Sequence, residues 1–281
     1  MKKLGIAILV IAVLAAGATI ALRKLTHTID TLLPDPEECS ATVGGHTAEL
    51  DPEQAGNAAL ITAIAVRRGL PARAATIALA TAMQESKLYN LTSGDRDSLG
   101  LFQQRPSQGW GTRKEILDPV HATNAFYDEL VKIDGYETMV ITEAAQKVQR
   151  SGYPEAYAEH EPDGRVLASA LTGYSPHVFG CRLDTPKAGA GKPRAMRREL
   201  TSLYAGLVGT PTIHGTSVTI PIHAGETGLR NGWSAAQYLV AQADRFGIRA
   251  VSYDGRRWST GESDGWHRAD DGASQIVVSL A

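Results

Sequence analysis

Residues 74–83 are apolar on almost every side of a helix, which makes this segment the strongest constraint on how the chain folds. A helix without a polar face has to be surrounded by other elements, so a helical core must be built around it. Pro71 supplies a helix start, and the polar triplet Gln84-Glu85-Ser86 follows the apolar run. The sequence therefore predicts a central buried helix that ends in three polar side chains.

The segments around this helix carry further helical patterns. Residues 51–54 place an Asp at an N-cap, a Pro at the first helical position and a Gln at N3, before an apolar pattern that runs to Arg68. Residues 90–98 are rich in Gly, Asp, Ser and Thr, which predicts a loop. Three more helices are predicted at 119–133, 142–150 and 164–171. Residues 51–181 are therefore predicted to form a mainly α domain.

The amino terminus contains nineteen uncharged residues, 4–22, between two basic pairs. As a helix this run reaches about 28 Å, close to the hydrocarbon thickness of a bilayer. Residues 1–25 are therefore predicted as a single-pass membrane anchor, with the C-terminal part of the chain outside the cytoplasm. Small residues at 15–18 leave a cleaved signal peptide, and a secreted protein, as the alternative.

The rest of the chain divides by composition. Residues 26–50 are predicted as a juxtamembrane spacer and a hairpin around Gly44-Gly45. Residues 182–209 are predicted as a basic linker and a helix, since 182–198 holds six basic residues against one acidic. Residues 210–281 alternate as strands around one helical pattern, which predicts a small α+β accessory domain. The predicted fold class is a mainly α domain followed by a small α+β domain, with an N-terminal transmembrane helix.

Charge, cysteines and histidines exclude several classes of protein. With 28 Lys plus Arg against 30 Asp plus Glu, the net charge is -2, so a nucleic-acid partner is not predicted. Cys39 and Cys181 flank the helical stretch, and an exported chain can oxidise them to a disulfide that closes a long loop. Two unrelated buried thiols are the alternative. The eight histidines show no paired ligand spacing, so no metal site is predicted.

Glu85 is the candidate catalytic residue. On a helix it lies in line with Ile77, Ala78 and Thr81, so its carboxyl leaves a face that is otherwise built for burial. Desolvation would raise the pKa of such a Glu, which could then hold a proton near neutral pH and donate it. Glycosidic cleavage needs such a donor because the leaving oxygen must be protonated. A solvated Glu near a helix end is the alternative.

The segment after the helix offers groups suited to a sugar. Gly100 permits close approach of a ligand to the backbone, and Trp110 offers an apolar face for a sugar ring. Gln103 and Gln104 supply amides for hydroxyl or acetamido groups. The predicted substrate-binding residues are Ser86, Asp97, Ser98, Gly100, Gln103, Gln104 and Trp110.

The pair Glu85-Ser86 and the segment Gly100-Leu101-Phe102-Gln103 together resemble the lysozyme-like superfamily of lytic transglycosylases and goose-type lysozymes. The resemblance extends more loosely over residues 52–173 and is closest to the secreted or anchored versions found in actinobacteria. It implies a lysozyme-like domain over 51–181, Glu85 as catalytic acid/base and Gln103 as a glycan-binding residue. The segment 170–174 departs from the Ala-Tyr-Asn-x-Gly motif of that superfamily, which puts this wall of the cleft in doubt.

The resemblance implies cleavage of the β-1,4 bond between N-acetylmuramic acid and N-acetylglucosamine in peptidoglycan, without a cofactor. Glu85 could activate the sugar's own 6-hydroxyl, giving an anhydro product, as in a lytic transglycosylase. Hydrolysis with Asp97 or Asp95 as second carboxylate is one alternative, although both residues also suit turns. A non-catalytic peptidoglycan-binding or scaffold protein is another.

The C-terminal segment faintly resembles the end of a D,D-peptidase-like zinc domain. Residues 275–280 contain no His, so the resemblance implies a domain without its metal, in an accessory or wall-binding role. A purely structural unit held together by Trp233, Tyr253 and Trp258 is the alternative.

Overall fold

The computed structural model describes residues 36–150, 155–262, 265–270 and 274–281. Nine α-helices and nine β-strands lie in this part of the chain. The helices are α1 (Pro52–Arg67), α2 (Ala72–Ser86), α3 (Arg113–Ile116), α4 (Pro119–Leu130), α5 (Ile141–Gln149), α6 (Glu161–Leu171), α7 (Pro193–Leu203), α8 (Glu226–Ala241) and α9 (Ala243–Phe246). Short 3-10 turns lie at Pro106–Gln108 and Ala158–His160.

The strands form two antiparallel sheets. The first sheet has the order β2-β1-β3 and consists of β1 (Glu38–Val43), β2 (His46–Leu50) and β3 (Phe179–Arg182). The second has the order β4-β5-β9-β6-β7-β8 and consists of β4 (Thr212–His214), β5 (Ser217–Pro221), β6 (Ile248–Tyr253), β7 (Arg256–Ser259), β8 (His267–Arg268) and β9 (Gln275–Leu280). The predicted hairpin is present as β1 and β2, which turn at Gly44-Gly45.

The predicted central helix is α2, whose residues 74–83 are all buried. Helices α1, α5 and α6 pack around it. Gly164 lets α6 approach closely, because a Cβ at this position would lie 3.0 Å from the Thr76 carbonyl oxygen. Because α2 has no polar face, these neighbouring helices bury its apolar surface on several sides, as the hydrophobic effect requires.

The predicted fold class is wrong, because the helices and sheets are not separated into a mainly α domain and a small α+β domain. The described chain is a mixed α+β fold in which residues Glu37–Ala281 form one compact unit. Helix α8 packs against α1 and α6, and the Ser234 hydroxyl donates to the Leu171 carbonyl at 2.7 Å. The hydrophobic periodicity of a segment predicts such a helix, but it does not show which other elements the helix packs against.

Within the described part of the chain, none of the helices has both the length and the apolar character needed to cross a membrane. The predicted anchor or signal segment, residues 1–25, lies outside the described residues.

The aromatic residues of the C-terminal region lie inside the protein. Trp233, Tyr253 and Trp258 are buried. The Trp258 indole donates to the Cys181 carbonyl at 2.8 Å, and the Trp266 indole donates to the Phe179 carbonyl at 2.8 Å. These bonds fasten the second sheet to β3, so the aromatic side chains hold the core together rather than present a surface.

Cys39 and Cys181 form a disulfide between β1 and β3, where they are direct register partners. The pairing expected from the sequence is thus present in the structure. Both residues are buried, and the bond joins positions 142 residues apart.

Replacing both cysteines by alanine is expected to lower the free energy of unfolding by about 2 to 5 kcal/mol, because the unfolded chain regains the freedom that this long loop removes. Denaturant unfolding of the oxidised wild type and of the Cys39→Ala/Cys181→Ala variant measures the difference. Wild type unfolded in the presence of a reductant serves as the control and should match the variant. Equal stability of the oxidised protein and the variant would contradict the expectation.

Candidate active site

Glu85 lies in the last turn of α2, where the buried helix reaches the surface. The helix stops after Ser86 because Lys87 and Leu88 take left-handed backbone conformations, with φ of 55° and 62°. Its carboxylate is half-buried and accepts a hydrogen bond from the Tyr157 hydroxyl at 2.7 Å. Tyr157 is itself only 1% exposed, so a buried phenol fixes the orientation of this carboxylate.

Ser86 connects the end of α2 to the following loop. Its buried hydroxyl donates to the Leu101 carbonyl at 2.7 Å and lies 3.0 Å from the Ala82 carbonyl. The Gln149 amide, on α5, donates to the Phe102 carbonyl at 2.7 Å. The two parts of the motif, Glu-Ser and Gly-Leu-Phe-Gln, are thus in direct contact. Ser86 holds them together with its hydroxyl turned inward.

Gly100 is required by the path of this loop. Its φ is +75°, and a Cβ would lie 2.7 Å from the Ile116 carbonyl oxygen, so a larger residue would force the loop away from α3. Its amide donates to the Leu91 carbonyl at 2.8 Å. In the structure, the close approach that glycine permits is therefore to the protein's own backbone.

The two predicted glutamines occupy different environments. Gln103 is half-buried, accepts from the buried Ser98 hydroxyl at 3.0 Å and donates to the Gly100 carbonyl at 3.2 Å. Gln104 is only 2% exposed and donates to the Ala122 carbonyl at 3.1 Å. The Gln103 side chain is therefore partly accessible to solvent, whereas the buried Gln104 side chain anchors the loop to the protein interior.

Trp110 is half-buried and packs on the edge of the core. One side of its indole is therefore covered by the protein, and its exposed part lies at the surface.

Asp97 is held by a compact set of donors. Its Oδ1 accepts from the Arg105 Nε and from the Ser107 hydroxyl, both at 3.0 Å, and its Oδ2 accepts from the Ser107 amide at 2.9 Å. The Ser107 amide is the largest cause, followed by Arg105, and together they lower the pKa of Asp97 to about 2. Asp95, in contrast, has an exposed side chain whose closest cation is Arg96 at 4.0 Å.

The low pKa of Asp97 predicts a specific acid response. Because the folded pKa lies below the ordinary value of about 3.9, the ionised carboxylate stabilises the fold above that pH, and this contribution is lost as the pH falls toward 2. The difference in Tm between wild type and Asp97→Asn should be constant above about pH 5, should shrink as the pH falls through 4 to 2, and should vanish at about pH 1, below both pKa values. A difference that is independent of pH would contradict this account.

No protein-family model matches the chain, and no curated protein does. The motif residues and their contacts are therefore the basis for assigning a function. Among the described residues, no group of three or more His, Cys, Asp or Glu side chains converges to hold a metal ion.

Three further residues contact the motif or its neighbours but are not singled out by the sequence: Tyr157 contacts Glu85, Gln149 contacts Phe102 and His160 contacts Gln84. The His160 Nε2 lies 3.0 Å from the Gln84 Oε1, and burial lowers the pKa of this imidazole. All three follow Glu85 by more than 60 positions and carry no local signal of their own.

Proposed function

We propose that this protein cleaves peptidoglycan glycan strands at the β-1,4 bond between N-acetylmuramic acid and N-acetylglucosamine, as a lytic transglycosylase, with Glu85 as acid and then base. The observation that carries the proposal is the half-buried Glu85 carboxylate, oriented by Tyr157 at 2.7 Å where a buried helix reaches the surface. A positioned carboxyl group of this kind is what protonation of a glycosidic oxygen requires.

The reaction uses one carboxyl group in two steps. Protonated Glu85 gives its proton to the bridging oxygen, the bond from C1 to that oxygen breaks, and C1 acquires oxocarbenium character. The Glu85 carboxylate then takes the proton of the same sugar's 6-hydroxyl while that oxygen bonds to C1. The products are a 1,6-anhydro end and a free hydroxyl on the leaving sugar, and Glu85 regains its proton. No cofactor takes part.

The environment of Asp97 supports transglycosylation over hydrolysis. A hydrolase of the inverting type needs a second carboxylate that accepts a proton from water. Both Asp97 oxygens already accept hydrogen bonds, and a pKa of about 2 makes this carboxylate a weak base. Asp95 is a solvated side chain with 89% of its surface exposed, which gives it no fixed position for that role.

The proposed location is outside the cytoplasm, where peptidoglycan is found. The disulfide between Cys39 and Cys181 supports an exported chain, because such bonds persist in oxidising compartments and are rare in the cytosol. Residues 1–25 would serve as a membrane anchor or as a cleaved signal. The proposed partners are glycan strands and, through an anchor, the membrane.

Mass spectrometry of products released from purified glycan strands tests the proposed function. We expect fragments that end in 1,6-anhydro-N-acetylmuramic acid. Reducing ends would instead support hydrolysis. Binding of strands without any release would support a non-catalytic wall-binding protein, and absence of both binding and release would exclude this substrate.

Removing the Tyr157 hydroxyl is expected to reduce kcat about 10- to 100-fold with KM nearly unchanged, because a hydrogen bond to a charged group contributes about 1.5 to 3 kcal/mol. Steady-state kinetics of Tyr157→Phe provide the measurement. Tyr174→Phe, at an exposed tyrosine, is the matched control. A rise in KM with kcat preserved would show that Tyr157 acts in substrate binding instead.

A further inference from the structure

Helix α7 carries an exposed face of unpaired arginines. Arg194, Arg197 and Arg198 are related by steps of three and four residues, so they share one side of the helix, while Met196 and Leu200 are buried on the other. All three arginines are exposed, and within the described part of the chain none of them has a hydrogen bond or ion pair through its side chain. Their charge is therefore available to a partner.

A groove lies beside this face. It has a volume of about 660 Å³ and runs between the start of α7 and the turn that joins β4 to β5. Lys192, Arg194 and Arg198 line it, and no acidic residue does. The Lys192 Nζ donates to the Arg245 carbonyl at 2.8 Å. This hydrogen bond fixes the position of the Lys192 ammonium group, and because a carbonyl carries no net charge, the positive charge is not neutralised. The segment 182–209, predicted as a basic linker and a helix, contains α7, whose Met196 and Leu200 are buried.

The other side of α7 has a different electrostatic character. Arg198 also borders a cavity of about 720 Å³ that extends toward α1 and α9. Four acidic residues, Glu53, Asp118, Glu199 and Asp244, line that cavity against two cations, Arg198 and Arg245. They oppose the entry of an anion, so an anionic ligand is restricted to the groove beside β4 and β5.

We propose that this groove binds a linear polymer that carries repeated phosphate groups but no nucleobases. Guanidinium groups match phosphate oxygens in a bidentate geometry, and the arginines on one face of α7 present several such groups in a row. The concave shape favours a strand over a flat membrane surface. The groove has Pro193, Ala195 and Ile213 but no aromatic side chain, so it lacks both the anchor pockets of a protein interface and a platform for stacking bases.

Binding of this kind is dominated by counterion release. With three contacts, from Lys192, Arg194 and Arg198, affinity is expected to fall about 20-fold between roughly 50 and 200 mM salt. Removing two of these charges should reduce that salt dependence to about 3-fold. The site does not use Glu85, so it is independent of the proposed glycan cleavage.

The experiment compares three full-length proteins: wild type, Arg194→Gln/Arg198→Gln, and the control Arg67→Gln/Lys114→Gln. The control removes the same charge from exposed residues outside the groove. Titration with inorganic polyphosphate measures affinity at low and moderate salt. Oligothymidylate, poly-glutamate and phosphatidylglycerol vesicles are parallel ligands, and equal Tm values verify folding. All three proteins share the same amino terminus, so any vesicle binding by residues 4–22 is common to them.

We expect wild type and control to bind polyphosphate equally, with the groove variant weakened about 10- to 100-fold. Equal binding by the groove variant and the control would overturn the proposal. So would tighter binding of oligothymidylate or poly-glutamate than of polyphosphate, or a loss in the groove variant confined to vesicles. Because Glu85→Gln should bind polyphosphate like wild type, this result is separable from failure of the proposed enzymatic function.

Discussion

Glu85→Gln is expected to lower the rate of glycan-strand cleavage by about 10²- to 10⁴-fold while leaving the fold unchanged, since this is the usual contribution of general acid–base catalysis. Glutamine has nearly the same shape, and its amide oxygen can still accept the Tyr157 hydroxyl. It cannot donate and recover a proton in the same way. The variant therefore removes the proposed chemistry and retains the surrounding contacts.

The matched control is Glu49→Gln, which removes an exposed carboxylate from β2. Product release is quantified by mass spectrometry for wild type and both variants, and strand binding is measured separately. We expect Glu85→Gln to bind strands like wild type and to release almost nothing, whereas Glu49→Gln should behave like wild type. Near-normal release by Glu85→Gln would refute the assignment of the catalytic residue. Inactive wild type would refute the proposed function itself.

The predictions that the structure supports rest on local patterns. The apolar run 74–83 predicts a buried helix because it has no polar face. The same pattern predicts that Glu85 lies at the end of this helix, where the structure places it. The N-cap at Asp51 is equally local, and its side chain accepts from the Gln54 amide as a capping box requires. The turn at Gly44-Gly45 is another such signal.

The failures concern contacts between distant parts of the chain. The burial of α8 in the helical core depends on partners that precede it by about 60 residues, such as Leu171 and Ala170. The partner of Glu85, Tyr157, lies 72 positions away, and neither residue type nor spacing marks the pair. The alternation that indicates strands also says nothing about the sheet in which a strand pairs. For this reason the sequence predicts residues 210–281 as a separate small domain.

Gln237 of α8 is where this long-range arrangement can be tested most directly. It is fully buried, its Oε1 accepts from the Phe179 amide at 2.9 Å, and its Nε2 donates to the Ala170 carbonyl at 2.6 Å. Gln237→Leu would leave the buried Phe179 amide without this acceptor, whereas the Ala170 carbonyl would retain the Gly173 amide as a donor. We expect a loss of about 1 to 3 kcal/mol in the free energy of unfolding, with Gln275→Leu, at an exposed position on β9, as the matched control.

A chain that ends at Val208 should show a still larger effect, because it lacks α8, α9 and all six strands of the second sheet. Buried surfaces of α1 and α6 would be exposed to water, and the carbonyls of Ala170 and Leu171 would lose the hydrogen bonds from Gln237 and Ser234. We expect this chain to lose its cooperative thermal transition and any glycan cleavage with it. The measurement is calorimetry beside the full-length protein. A sharp transition together with retained cleavage would instead show that residues 51–181 fold and act alone, and that the contacts of α8 add little to their stability.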